Sequence, residues 1–403
     1  MTYDRADAEM RAGVEPAYFD QLLQLGILSP TADGRFSPGD LRRVTLIKSL
    51  ERAGLPIEGI ATAVRNGQLS LAFMDASSYD RFSILSDITF NQLSARTGVP
   101  VELLMVIREA VGFAEPSPDD KVRDIEQRIA PLVQQQIAEG FRPTAIERWL
   151  RVYGESMRRI AEAEADWWSS EVEQRLVAAG MSAGEMMEYA DVNIAARMAP
   201  LLDDAILGIY HGHQEHSWTT SIINGVEAAL ADAGVFSRLE HPPAICFLDL
   251  TGYTRLTEEH GDDAAADLAS TLGRVVRRSS AQHGGKPIKW LGDGVMFYFR
   301  DPGPGVESAL EMVEEARRIG LPPAHVGLHA GPVLYQEGDY FGKTVNLASR
   351  IADYARPGEI LVSQAVVDAA EGARASFAEI GPVELKGVSG PVNLHAARRA
   401  NTT

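Results

Sequence analysis

Asn346 and Arg350 stand four residues apart in GDYFGKTVNLASR, residues 338–350, just behind a glycine. On a helix, positions i and i+4 share one face, so this amide and guanidinium would point at one target. The guanidinium offers planar donors suited to phosphate, and the amide can orient a neighbouring hydroxyl. Standing alone, such a pair is as readily a solvated helix face. Two aspartates sharpen the question. Asp249 ends an apolar run in FLDLTGYT, and Asp293 lies in the Gly-Asp-Gly of WLGDGV. Each alone is more often a turn former or helix cap. Brought together on one edge of a sheet, the two carboxylates would repel unless a divalent cation sat between them.

The elements that must position these residues follow from periodicity. PAICFLDL reads as a short buried strand, and residues 251–285 as one long helix ending in glycines. KPIKWLGDGVMFYF is two strands around a Gly-Asp-Gly turn. GVESALEMVEEARRIG is a helix, AHVGLHAGPVLYQEGDYFG a strand, turn and strand, NLASRIADYA a helix, and EILVS a strand before a final β-pair. The order β-α-β-β-α-β, with additions, predicts a ferredoxin-like α+β sheet. Ahead of residue 235 the pattern is helical throughout. Short helices are expected at 15–26, over LRRVTLIKSLERAG and over LPIEGIATAVRNG, with the turn-rich SPTADGRFSPGD among them. A second helix-turn-helix-like unit is expected at 87–112, and helices from about 118 to 235 with breaks at EGFRPT and AAGMSAGE.

Composition narrows the function classes. The 403 residues suffice for two or three domains, and 45% hydrophobic content supports sizeable cores. Asp and Glu number 56 against 38 Lys and Arg, a formal net charge of −18. That balance argues against nucleic acid as the main partner. The single cysteine, Cys246, precludes an intrachain disulfide and fits a reducing compartment. Its apolar neighbours predict a buried strand thiol. No stretch approaches the ~18 consecutive apolar residues of a membrane helix, and the N-terminus lacks an apolar signal core. The chain therefore reads as cytoplasmic.

FLDLTGYT, KWLGDG and DYFGKTVNLASR together resemble the catalytic motifs of the class III nucleotidyl cyclases, in that family's order and spacing, over residues 241–396. The whole chain resembles the soluble mycobacterial adenylate cyclases that place a helical regulatory domain ahead of the catalytic one. Residues 13–65 also resemble a MerR-type winged helix-turn-helix, although its would-be recognition helix carries Glu15 and Asp20 and no Arg or Lys. Arg35, Arg42, Arg43 and Lys48 nearby leave DNA contacts open. The expected division is a MerR-like region at 1–80, a helical regulatory region and linker at 81–235, and the catalytic domain at 236–403.

The cyclase resemblance implies a role for each residue. Asp249 and Asp293 match the metal-binding aspartates, for two Mg2+ or Mn2+ ions per site. Lys289 matches the lysine that reads the adenine ring, and Asp339 its partner for the exocyclic amine. The pair implies ATP, since guanylate cyclases place Glu and Cys there. Asn346 matches the ribose-orienting asparagine, Arg350 the transition-state arginine, and Lys386, in ELKGVSG, a polyphosphate-binding lysine. His325 departs from the pattern, since many members carry a phosphate-binding Arg there. The implied activity is adenylate cyclase, making cyclic AMP and pyrophosphate at a homodimer interface under N-terminal control. The alternative is a DNA- or ligand-binding regulator in which the cyclase domain is secondary. His211, His213 and His216, in YHGHQEH before the expected linker, are candidates for a proton-sensing cluster. A regulatory ligand of the N-terminal region is the other form of control the reading allows.

Overall fold

The computed structural model describes residues 2–75, 79, 81–235, 241–336, 338–370 and 372–400. The chain divides into two compact units, Met1–Val226 and Glu227–Thr403.

The first unit is helical. It contains α1 (Arg5–Ala12), α2 (Pro16–Gln24), α3 (Pro38–Arg52) and α4 (Ile57–Arg65). A strand, β1 (Leu85–Thr89), precedes α5 (Phe90–Thr97) and α6 (Val101–Ala110); a second, β2 (Lys121–Arg123), precedes α7 (Asp124–Ala138). Then come α8 (Pro143–Trp168), α9 (Gln174–Ala178), α10 (Ala183–Tyr189) and α11 (Ala196–Asp232), the last turns of which fall in the second unit. Sequence signals explain several boundaries. Ser37 and Asp40 form a reciprocal capping box that starts α3, and Thr89 and Gln92 do the same for α5. Phe19, Leu22, Leu41 and Ile47 are fully buried in one core, and Phe90, Leu104, Ile107 and Ile146 in another.

Two helical expectations need correction. The β1–β2 pair is an antiparallel ribbon within the helical region. It is only five and three residues long, too short for an alternating pattern to stand out against its helical neighbours. The histidines of YHGHQEH lie inside one continuous helix, α11, and all three are exposed. His213 and His216, at i and i+3, share one face of the helix while His211 projects from another, so the three do not form one cluster.

In the second unit a seven-stranded sheet runs in the order β10-β11-β9-β6-β3-β5-β4. Its strands are β3 (Ala244–Leu250), β4 (Gly285–Leu291), β5 (Gly294–Phe299), β6 (Ala324–Ala330), β9 (Ile360–Ser363), β10 (Ala375–Val383) and β11 (Val392–Arg399). β7 (Leu334–Gln336) and β8 (Asp339–Phe341) form a separate hairpin, where the sequence predicted one turn and one strand after β6. The helices are α12 (Tyr253–His260), α13 (Asp262–Gln282), α14 (Pro302–Arg318), α15 (Lys343–Tyr354) and α16 (Gln364–Ala369). The long helix expected after Asp249 is two helices, broken at Gly261, whose φ of 87° no helix accommodates.

Side chains alternate across β3 with period two. Ala244, Cys246, Leu248 and Leu250 pack with residues from α13 and α14 such as Leu272 and Val306. On the other face Ile245 packs with Met296, Val345 and Ala348, the last two from α15. Cys246 is the inert core thiol expected, its pKa pushed up by burial.

Gly327 of β6 fixes how closely α15 approaches the sheet. A Cβ there would lie 2.1 Å from the Ala352 backbone nitrogen. Gly327→Ala should therefore lose about 3 kcal/mol or more, because backbone cannot move aside as a flexible side chain can. Gly208, inside α11, meets nothing within 4 Å. Gly208→Ala should gain up to about 1 kcal/mol from helix propensity. Urea midpoints of the two variants check both signs.

Candidate active site

Asp249 ends β3, and Asp293 forms the β4–β5 turn beside Gly292, whose φ is 69°. Gly294 brings the two turns close, since a Cβ there would sit 2.9 Å from Asp249 Oδ1 and 3.3 Å from the Leu248 carbonyl. Burial raises the Asp249 carboxyl pKa, and the Asp293 charge raises it further. His325, opposite Asp249 on β6, pulls the other way. Its Nε2 lies 3.6 Å from Asp249 Oδ2, and its Nδ1 is 3.2 Å from the Thr251 hydroxyl. Half-buried carboxylates that repel each other form a donor set a hard divalent cation fits. No cluster of three or more His, Cys, Asp or Glu ligands exists among the described residues, so other ligands would come from substrate or water.

Lys289 and Asp339 lie 50 residues apart in sequence and meet directly. Lys289 Nζ donates to Asp339 Oδ2 at 2.5 Å. Lys289 sits on β4, and Asp339 opens β8, where its Oδ1 accepts from the Tyr340 N–H at 2.8 Å. Tyr340 stacks on Tyr298 with ring centroids 4.6 Å apart, which anchors the β7–β8 hairpin to β5.

Asn346 and Arg350 share the exposed face of α15, while Val345 and Ala348 are buried beneath. The i, i+4 expectation therefore holds in geometry. Arg350 Nη1 donates to Asp353 Oδ2 at 2.8 Å, one turn on. Asp353 was not anticipated, although its i+3 spacing from Arg350 in RIAD was visible; its charge also reaches Asp249. Lys386 is exposed in the turn after β10. The aspartate pair and the Lys289–Asp339 pair are each assembled; Asn346 and Arg350 stand ready on one face; Lys386 contacts none of them.

Three of the four cations that kept DNA contacts open are otherwise engaged, and Lys48 donates to the Gly13 carbonyl at 3.0 Å. Arg42 donates to the Met74 carbonyl at 2.9 Å, Arg43 to Asp40 at 2.8 Å and to Asp75, and Arg35 to Thr2. Buried or tethered, they hold the fold together.

A sheet bearing two turn aspartates beside a Lys–Asp pair and a helix-borne Asn–Arg pair is the architecture of a class III nucleotidyl cyclase. Residues 239–397 match the adenylate and guanylate cyclase catalytic domain, and residues 33–216 match an adenylate cyclase regulatory domain. The chain thus joins a cyclase catalytic domain to an adenylate cyclase regulatory domain. The regulatory match runs across residue 80, so the MerR-type likeness is not borne out.

A pH-sensitive adenylate cyclase of Mycobacterium tuberculosis (strain CDC 1551 / Oshkosh) is 29% identical over 327 residues, spanning 78% of this chain and 79% of that protein. An adenylate cyclase of Streptomyces coelicolor (strain ATCC BAA-471 / A3(2) / M145) is 27% identical over 282 residues, spanning 69% and 70%. The crystal structure of the adenylyl cyclase CyaB from P. aeruginosa aligns at 23% identity over 40% of this chain and 94% of that one, with a TM-score of 0.36. Among the described residues no helix is long and apolar enough to cross a membrane.

Proposed function

We propose that residues 236–403 convert ATP to 3′,5′-cyclic AMP and pyrophosphate at a site shared by two copies of the chain, under control of residues 1–235 in a cytoplasmic signalling role. We keep residue 80 as a division inside the regulatory part. The observation that carries the reading is the Lys289–Asp339 contact beside a mutually repelling aspartate pair. Adenine presents a ring nitrogen that accepts and an exocyclic amine that donates. Lys289 supplies the donor and Asp339 the acceptor, and guanine reverses both demands.

Asp249 and Asp293 are the residues that would hold two divalent ions, Mg2+ or Mn2+, which when bound neutralise phosphate charge and lower the ribose hydroxyl pKa. Asn346 orients the ribose so that its 3′-oxygen faces the α-phosphorus. Arg350 donates to phosphoryl oxygens as charge builds on them, and Lys386 binds the polyphosphate. Arg350 must first leave Asp353. Their side chains are 46% and 59% exposed, and an exposed pair is worth only ~0.2–1 kcal/mol. A fixed donor to a developing oxyanion contributes ~3–4 kcal/mol, so the exchange favours catalysis. His325 replaces a permanently charged guanidinium, which makes the grip on pyrophosphate weaker.

The second copy is inferred from stoichiometry, since each chain supplies one aspartate pair and one Asn–Arg pair. α11 adds apolar surface for it. The helix buries no residue, and Leu201, Trp218 and Ile222 are 70%, 63% and 65% exposed. The direct test is cyclic AMP formation by the full chain from ATP, with GTP as competitor and with EDTA as a control. No product from ATP under any divalent ion would overturn the reading. Within it, Lys289→Glu with Asp339→Cys should lower kcat/KM for ATP by on the order of a hundredfold and improve relative use of GTP. Unchanged ATP kinetics would show that this pair does not read the purine.

A further inference from the structure

A second polar site lies in the regulatory unit, away from the nucleotide-binding residues. On α3, Thr45, Lys48, Ser49 and Arg52 fall at i, i+3, i+4 and i+7, which sets two hydroxyls and two cations along one helix face. This face forms one wall of a cleft of about 130 Å3. Arg11, from α1, and Arg123, from β2, complete its cationic lining, and no carboxylate lines it. Four cations around so small a hollow are unexpected in a chain of net charge −18.

These cations are only partly satisfied. Arg52 makes no ion pair among the described residues. Lys48 Nζ donates once, to the Gly13 carbonyl at 3.0 Å, and so keeps two protons for another acceptor. Arg11 is paired with Asp7 at 2.9 Å and lies over the Tyr3 ring. Arg123 is the most constrained. One face of its guanidinium lies 3.9 Å from the Phe113 ring centroid, and Nη1 donates to the Ser83 carbonyl at 3.1 Å. Its Nε is buried with no hydrogen-bond partner. Burial and the like charge of Arg108 both destabilise the charged form of Arg123, more than Glu126 and Asp124 restore. A buried donor left unmatched in this way is costly.

We propose that this cleft binds a phosphate group carried by a small molecule. A tetrahedral oxyanion fits the volume, and its several acceptors match the guanidinium forks and the ammonium converging from three elements; the Thr45 and Ser49 hydroxyls donate to helix carbonyls and take no part. An adjoining hollow of about 690 Å3 shares Gly13, Lys48 and Arg52 with the cleft, but is lined by Glu9, Glu15 and Glu51. That acidic side suits an amine or hydroxyls on the rest of the ligand, so a phosphate monoester of an amino alcohol matches both halves. Because the site joins α1, α3 and the β1–β2 ribbon, its occupancy would tie together the opening elements of the regulatory unit.

The test is a 31P NMR titration of the full chain in EDTA, with inorganic phosphate and O-phosphoethanolamine as separate probes. Both should bind, and Lys48→Gln with Arg52→Gln should weaken binding by on the order of tenfold per cation removed. Both positions are at the surface of α3, so the fold should survive. Arg123→Lys keeps the charge but loses the fork, and should also weaken binding. The pair Arg350→Ala and Lys386→Ala, in the catalytic unit, should leave it unchanged. Tighter binding of O-phosphoethanolamine than of phosphate would place an organic body in the acidic hollow; equal binding would make free phosphate the ligand. The proposal is overturned if Lys48→Gln with Arg52→Gln binds both probes as the parent does, or if binding is lost only in the Arg350→Ala, Lys386→Ala chain.

Discussion

Asp249→Ala or Asp293→Ala should reduce cyclic AMP formation by on the order of a thousandfold or more, with no loss of folding stability. The two halves of this expectation have different causes. Activity falls because one carboxylate alone cannot hold the ions that neutralise the reacting phosphates. Stability is spared because the pair is a source of strain in the free protein. Burial and the Asp293 charge both raise the Asp249 pKa, so at neutral pH the folded state carries a charge it disfavours. A carboxyl raised in this way costs nothing below its unfolded pKa, and the cost builds as pH rises through the ordinary carboxylate range to the raised value. Removing Asp293 relieves the part due to its charge, while the larger part, from burial, remains. The urea midpoint of Asp293→Ala at neutral pH, without added metal, should equal or exceed that of the parent chain. Saturating Mg2+ or Mn2+ should raise the parent's midpoint by preferential binding to the folded state and leave the variant's unmoved. Retained activity in either variant would remove these residues from the metal site. A metal-dependent shift that persists in Asp249→Ala would place the ions elsewhere.

How far the sequence reveals this site depends on whether a residue's role is local. The shared face of Asn346 and Arg350 follows from spacing alone, and α15 presents them so. The placement of Asp293 follows from the Gly-Asp-Gly turn, and the burial of Cys246 from its apolar neighbours. The Lys289–Asp339 contact spans 50 residues and two different sheets, so no periodicity reaches it; only the motif resemblance anticipated the pair. The Thr251–His325–Asp249 alignment depends on the β3–β6 register, which forms only when the sheet assembles. The same limit explains the arginines of α3. RR in LRRVTLIKSLERAG looks like surface charge, yet Arg42 and Arg43 turn inward to the backbone and acids around residues 71–75. Helical spacing says which residues share a face; the core decides which face is inside. At YHGHQEH, proximity in sequence suggested a cluster of three that helical geometry splits, with His213 and His216 on one face and His211 on another.

Mixing the Asp249→Ala chain with the Arg350→Ala chain should restore activity that neither possesses alone. If each site takes its aspartates from one copy and its Asn346 and Arg350 from the other, a mixed dimer places both lesions in one site and none in its second. Equimolar mixing with free exchange gives half mixed dimers, each with one working site of two, so recovery should reach about a quarter of the parent activity. One observation makes the outcome informative. Asp353, which holds Arg350 in the same chain, also contributes to the potential at Asp249, so α15 of a chain is electrostatically felt at its own aspartates. A site complete within one chain would build on that proximity, and then no mixture could recover, because every chain would carry its own lesion. Exchange must be measured separately, by native mass spectrometry of chains with distinct tags. Mixed dimers without activity would refute the shared site and leave a single-chain catalyst. Recovery near a quarter, falling when either mutant is in excess, would fix the site between two copies.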